Sequence, residues 1–180
     1  MKEDALILFL LACYSHAEQH SDDLSNQNAA IVFCPDECDI YGIGANSLPK
    51  GVIKTDERIK ARPKKYAYIE HAERNAIYAA AKAGRCTKNC VMVCPWFACA
   101  DCARAIVQSG IRKVYGHKQR MDMTNVGREK VADTVDNRWV APVTDGDIIL
   151  QEAGIETYYY DGPMPEPINI LINEQRITAL

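Results

Sequence analysis

The chain has 180 residues, 48% hydrophobic and 25% charged, a composition that suits a globular protein of one domain and excludes wholesale disorder, a fibrous repeat or a polytopic membrane protein. A net charge of −3, from 21 Lys and Arg against 24 Asp and Glu, provides no general attraction to nucleic acid or to an acidic membrane. Cysteine is the unusual component, with eight at positions 13, 34, 38, 86, 90, 94, 99 and 102; a chain this long buries a core without staples, so metal binding or free thiols is a better reading than four disulfides.

Ala5 to Cys13 is an unbroken apolar run of nine residues, well short of the ~20 that span a bilayer. Leu10-Leu11-Ala12-Cys13 loosely mimics a lipoprotein cleavage site, but Lys2 against Glu3 and Asp4 makes a poor signal-peptide leader. The expectation is a buried first helix with Ser15 to His20 as its wetter end, in a cytoplasmic protein with no membrane segment. Ser21 to Asn28 reads as a polar loop, Ala29 to Phe33 as a buried strand and Asp39 to Ile43 as a second, joined by the turn Cys34-Pro-Asp-Glu-Cys38. Gly42, Gly44, Asn46, Pro49 and Gly51 break the pattern there, and Lys50 to Lys65 is a charged connection.

Glu70 to Ala83 is rich in helix formers, and Gly84 stands where a helix-ending glycine belongs. Cys90 to Val93 reads as a buried strand, Cys99 to Gln108 as a helix ending at Ser109-Gly110, and Ile111 to Tyr115 as a third core strand. This alternation predicts a crossover-built α/β sheet. Beyond it lie an expected exposed helix over Asp122 to Asp136, a short helix over Asp147 to Ala153 closed by Gly154, and a last strand over Ile155 to Tyr160. A tail with Pro163, Pro165 and Pro167 leads to a short apolar strand at Ile168 to Ile172. The whole of 1–180 reads as one domain with its core at about 25–160.

Two short motifs carry chemistry. His71-Ala72-Glu73 and Cys99-Ala100-Asp101-Cys102 each open a predicted helix. Thiols at i and i+3 share a helical face, and a helix N-terminus favours the thiolate. First-turn side chains lean back past the helix end, so one metal can meet His71, Cys99 and Cys102 together. One imidazole and two thiolates suit Zn²⁺, and three protein ligands leave a fourth position for water, the mark of a catalytic site. Zinc lowers the pKa of a bound water to ~7. Glu73 is then placed to take a proton from that water and hand it to a leaving amine.

This pairing of H-x-E with C-x-x-C resembles the zinc-dependent cytidine/deoxycytidylate deaminase superfamily. Within it the chain looks most like the deoxycytidylate (dCMP) deaminases. The resemblance runs from about Ser25 to Tyr160 and rests on four stretches: Ser25-Asn-Gln-Asn-Ala-Ala30, Gly44-Ala-Asn-Ser-Leu-Pro49, Ile69-Glu-His-Ala-Glu-Arg-Asn-Ala-Ile77, and Cys99 to Val114. It implies a three-layer α/β/α fold with a mixed five-stranded sheet, His71, Cys99 and Cys102 as zinc ligands, and Glu73 as the proton shuttle that turns dCMP into dUMP and ammonia. Asn46 matches the family's nucleotide-contacting asparagine, and Ala72 is assigned to the substrate with it. Ala98 replaces the family's usual proline, and Gly44-Ala-Asn-Ser47 has lost an aromatic and a glycine.

Trp96 and Phe97 directly precede the second motif and are candidates for lining the base pocket. Arg58, Arg62, Lys64 and Lys65 are candidates for a phosphate site, with a solvated charged loop as the alternative. Cys34 with Cys38, and Cys86 with Cys90 and Cys94, are a second set of thiols that could assemble a structural zinc, with buried free thiols as the default. A rival reading keeps the superfamily but changes the substrate to cytidine, a modified cytosine nucleotide, guanine or a tRNA base. The more distant rival is a non-catalytic zinc-binding module. The expected partner is a small-molecule nucleotide, not a polynucleotide, since the acidic balance counts against the latter. The resemblance adds homo-oligomer assembly and regulation by dCTP or dTTP.

Overall fold

The structure is a computed structural model that describes residues 1–123 and 140–180. Its centre is a five-stranded sheet in the order β2-β1-β3-β4-β5. The strands are β1 (Ala29–Cys34), β2 (Asp39–Ala45), β3 (Val91–Val93), β4 (Lys113–His117) and β5 (Glu156–Tyr160). β1 is antiparallel to both β2 and β3, whereas β3, β4 and β5 run parallel. The sheet is therefore mixed, as expected.

Side chains alternate between faces along a strand, and β1 shows what that does here. Ala30, Val32 and Cys34 enter one core with Met92 and Val114, while Ala29 and Ile31 enter the other with Val91, Val93 and Tyr115. Helix α1 (Glu3–His20) covers the second face through Leu6, Leu10, Cys13, Tyr14 and Ala17, the i, i+3, i+4 spacing of a core-facing stripe. Each such leucine contributes ~1.5–3 kcal/mol by leaving water. The first face is covered by α3 (Ala72–Lys82) and α4 (Ala100–Gln108), with α5 (Val140–Glu152) packed beside α4. The result is the three-layer α/β/α arrangement.

Other elements depart from the sequence reading. Strand β2 runs on through Gly42 and Gly44 to Ala45 instead of stopping at Ile43. The Lys50–Lys65 connection folds into the short helix α2 (Asp56–Ile59) and a 3₁₀ turn over Lys64–Ala67. Helix α5 starts before the expected Asp147. The tail forms a small hairpin of β6 (Ile170–Ile172) and β7 (Gln175–Ile177), and Ile168, Ile170 and Ile172 close the α1 side of the core. The helix expected over Asp122 to Asp136 lies, beyond Met123, outside the described residues. Among the described residues no helix is long and apolar enough to cross a membrane.

The two glycines explain how α3 is seated. A Cβ at Gly42 would stand 2.1 Å from the Ala76 carbonyl oxygen, and one at Gly44 would stand 2.4 Å from the Ala76 nitrogen. On the helix side, the residues buried against the sheet include Ala72, Ala76 and Ala80. Small residues on both surfaces bring helix backbone onto strand backbone, a contact no larger side chain permits. Gly44→Ala is expected to lower stability by about 1–3 kcal/mol, the usual cost of overpacking, measured as a shift in the urea midpoint. An unchanged midpoint would show that the helix is not held there.

Candidate active site

The site is assembled from two helix starts. His71 is the N-cap residue of α3 and Cys99 that of α4, both with extended backbone, and Cys102 follows in the first turn of α4. Each N-cap side chain stands just outside its helix, so two helices that converge at their N-termini bring their caps together. His71 Nδ1 lies 3.6 Å from Cys99 Sγ and 3.5 Å from Cys102 Sγ. Among the described residues, these form the one group of three His, Cys, Asp or Glu side chains whose ligand atoms all lie within 4.8 Å of one another.

The electrostatics follow from this packing. Hydrogen bonding from Cys102, then from His71, pulls the Cys99 thiol down to about 3 against the effect of burial. Cys102 moves in the opposite direction, because its thiol proton is held against Cys99 and buried. Burial works to lower His71, but its hydrogen bond to Cys99 and the charge of Glu73 raise it overall. Arg74 backs the group by donating from Nη1 to Cys102 Sγ at 3.4 Å and by pairing with Glu70, whose carboxylate also accepts the His71 N–H at 3.0 Å.

Glu73 lies two residues beyond His71 and is only 2% exposed. Burial pushes its carboxyl up and His71 opposes the shift. It lines a small cleft together with Asn28, Asn46, His71, Trp96, Phe97, Cys99 and Val143.

The expected substrate contacts divide. Asn46, Trp96 and Phe97 are at the cleft, and Phe97 meets Tyr159 edge-on. Ala72 is fully buried, and its N–H donates to Asn46 Oδ1 at 2.9 Å. Asn46 thus caps the first amide of α3, and its Nδ2 donates to the Asn26 carbonyl at 3.0 Å. Asn28 and Val143 were missed. Asn28 donates to Cys94 Sγ at 3.2 Å and sits in a stretch already singled out before β1, whereas nothing in the sequence around Val143 marks it.

None of the four proposed phosphate-binding cations lines the cleft. Lys65 requires a correction: it is 2% exposed, and its Nζ bonds Asp23 at 2.8 and 3.0 Å. This long-range ion pair anchors the connection to the loop before β1. Lys64 pairs with Glu57, and Arg62 stands 3.6 Å from Glu174. Arg58 donates to the Ile53 carbonyl and lies over the Tyr68 ring. The second set of thiols, the alternative to free thiols, also separates. Cys34 and Cys90 meet through a side-chain hydrogen bond, Cys38 and Cys86 are exposed, and Cys94 lies past the far end of β3. All eight cysteines are free.

Asn46→Ala leaves the buried Ala72 N–H without its acceptor. A loss of about 1–3 kcal/mol of stability is expected, read from denaturant midpoints. A midpoint equal to that of the parent would mean the cap contributes nothing.

Residues 4–118 match the family model described as the cytidine and deoxycytidylate deaminase zinc-binding region. Deoxycytidylate deaminases of Pongo abelii and Mus musculus are each 34% identical over 113 residues, which cover 59% of this chain. The chain spans 60% of the length of those relatives. Among solved structures, the dCMP deaminase of the cyanophage S-TIM5 in complex with dCMP and dUMP is similar at a TM-score of 0.65 and 22% identity, covering 89% of this chain and 99% of that one. With well over half its length matched, and with both motifs inside the matched region, this chain belongs to the cytidine and deoxycytidylate deaminase zinc-binding family.

Proposed function

We propose that the chain is a zinc-dependent deaminase that converts dCMP and water to dUMP and ammonia. The observation that carries this reading is Glu73, a carboxyl buried in a small cleft beside three converged metal donors. A binding module has no use for a buried carboxyl there, because its burial costs stability unless a reaction or a ligand uses it.

The donor set fits zinc. One imidazole and two thiolates are soft to borderline ligands, and their atoms are close enough to share one ion. Held by His71, Cys99 and Cys102, zinc supplies Lewis-acid activation of a water for attack on a ring carbon. The remaining steps fall to the chain's own side chains. Glu73 accepts a proton as the water adds to C4 of cytosine, and delivers it to N3. It then carries the second water proton to the 4-amino nitrogen, the C4–N bond breaks, and ammonia leaves a uracil ring. A carboxyl raised by burial suits this, because it must both accept and return protons. Trp96 and Phe97 offer flat apolar walls for the base.

The named relatives support dCMP as substrate, since they are deoxycytidylate deaminases and the cyanophage enzyme was crystallised with dCMP and dUMP. The same reading carries a cytoplasmic setting, consistent with eight free thiols. It also carries one deaminase domain over 1–180, homo-oligomer assembly and regulation by dCTP or dTTP. An ammonia-release screen over dCMP, cytidine, cytosine, guanine and adenosine tests the substrate. Release from another compound alone would move the assignment within the superfamily, and release from none would favour a binding module.

Glu73→Gln is expected to keep one zinc per chain while losing about 10²- to 10⁴-fold in kcat, the range for a positioned acid–base group. Metal analysis and ammonia release check both halves. A zinc-loaded variant with full activity would remove Glu73 from the mechanism. Cys99→Ala is expected to lose zinc and activity together, and an active, zinc-replete Cys99→Ala protein would overturn the ligand set.

A further inference from the structure

Arg120 is the most anomalous charged group among the described residues. It lies in the helical segment 118–123 that follows β4, and its side chain is fully buried. Its Nε, Nη1 and Nη2 have no hydrogen-bond partner among the described residues. A guanidinium carries five N–H donors and stays charged in proteins. Burying one unpaired is strongly unfavourable.

Its neighbours do not supply the missing charge. The guanidinium lies 4.9 Å from the centre of the Trp96 ring, a cation–π contact that offsets only part of the cost of burial. The titratable groups around it are Tyr14, Cys94 and His117. Burial pushes Tyr14 and Cys94 up and His117 down, so all three are held neutral. Tyr14 and His117 are also joined to each other, at 2.7 Å, and His117 Nε2 is 2.8 Å from the Gly162 carbonyl. Among the described residues, none of the groups that act on the guanidinium carries a negative charge.

Its position identifies an anion that would pair with it. Trp96 lines the cleft that holds Glu73, so Arg120 is one aromatic ring away from it. Asn28, another lining residue, bonds Cys94, a thiol that interacts with the same guanidinium. We propose that Arg120 is the phosphate-binding group of this cleft, receiving the phosphate of a nucleotide whose base is presented to Glu73; this rests on the nucleotide-deaminase reading above. A guanidinium fork matches phosphate oxygens in a way a lysine does not. The proposal also supplies what the Lys50–Lys65 connection does not, since Lys65 is held by Asp23.

The test compares dCMP with deoxycytidine on zinc-loaded parent protein, Arg120→Met and Arg120→Lys. Methionine fills similar space without a charge, so it is expected to fold. Arg120→Met should raise KM for dCMP about 10- to 100-fold, as for loss of a charge-assisted hydrogen bond, while kcat/KM for deoxycytidine stays within about twofold, inside the ±0.5 kcal/mol scatter of uninvolved sites. Arg120→Lys should fall between. Equal losses on both substrates, or an unchanged KM for dCMP, would make Arg120 a structural cation and overturn the proposal. If the parent turns over neither substrate, the deaminase reading fails separately. Calorimetric binding of dUMP and of inorganic phosphate then decides Arg120: binding by the parent that is lost in Arg120→Met supports the site, and binding that is absent or equal in both overturns it.

Discussion

The contact between helix α3 and strand β2 is the constraint on which the site depends. Two strand positions without side chains, Gly42 and Gly44, let the Ala76 turn of α3 rest on the sheet backbone. That contact fixes the height and direction of α3, and hence the place where His71 leaves its N-terminus. The other half is fixed in a similar way. Gly146 of α5 has no room for a Cβ, which would stand 2.3 Å from the Ala98 carbonyl oxygen, so α5 presses on the chain just where α4 begins. Both caps are held by backbone packed against backbone, which tolerates little displacement. A metal needs its donors placed to a few tenths of an ångström, and this packing provides that.

Polar groups reinforce the same geometry from below. Asn46 ties the first amide of α3 to the loop that follows β2, and Asn75 Nδ2 donates to the Ala45 carbonyl at 2.8 Å. Glu70 holds the His71 amide and Arg74, and Arg74 reaches Cys102. A chain of hydrogen bonds therefore runs from one helix start to a ligand on the other. Such a network orients ligand side chains and tunes their charge. It also explains why Asn46 belongs to the architecture as much as to the cleft: both ends of its amide are already engaged by backbone.

Much of this was legible in the chain, for reasons that can be named. The buried strand expected over Ala29 to Phe33 announced itself by composition, whereas its uniformly apolar run did not say which side chains would enter which core. The paired motifs were legible because their meaning is local: three residues at one helix start and four at another. The misses share a different cause. Lys65 sits in a run of basic residues, and nothing within that run signals that Asp23, 42 positions earlier, will bury it. The role of Gly42 and Gly44 was inverted. They look like punctuation along the chain, and only the arrival of α3 shows that they make close approach possible. Arg120 was passed over because a single arginine in a weakly patterned stretch carries no signal until its burial is known.

Lys65 and Arg120 together show what burial does to the meaning of a charge. Both are cations removed from water, and both must be neutralised by something. Lys65 has its anion within the chain: Asp23 is also buried and grips it with both oxygens. That pair is complete and has no further use for a ligand. Arg120 has an aromatic face and three neutral neighbours, which soften the cost of its charge without cancelling it; burial draws its pKa down to about 10, which still leaves it charged at neutral pH. A cluster of exposed basic residues attracts phosphate weakly and is screened by salt. A desolvated guanidinium without an anion attracts phosphate more strongly, because the ligand supplies the missing charge. The strength of an anion site is set by what is missing around the cation, more than by how many cations the sequence places in a row.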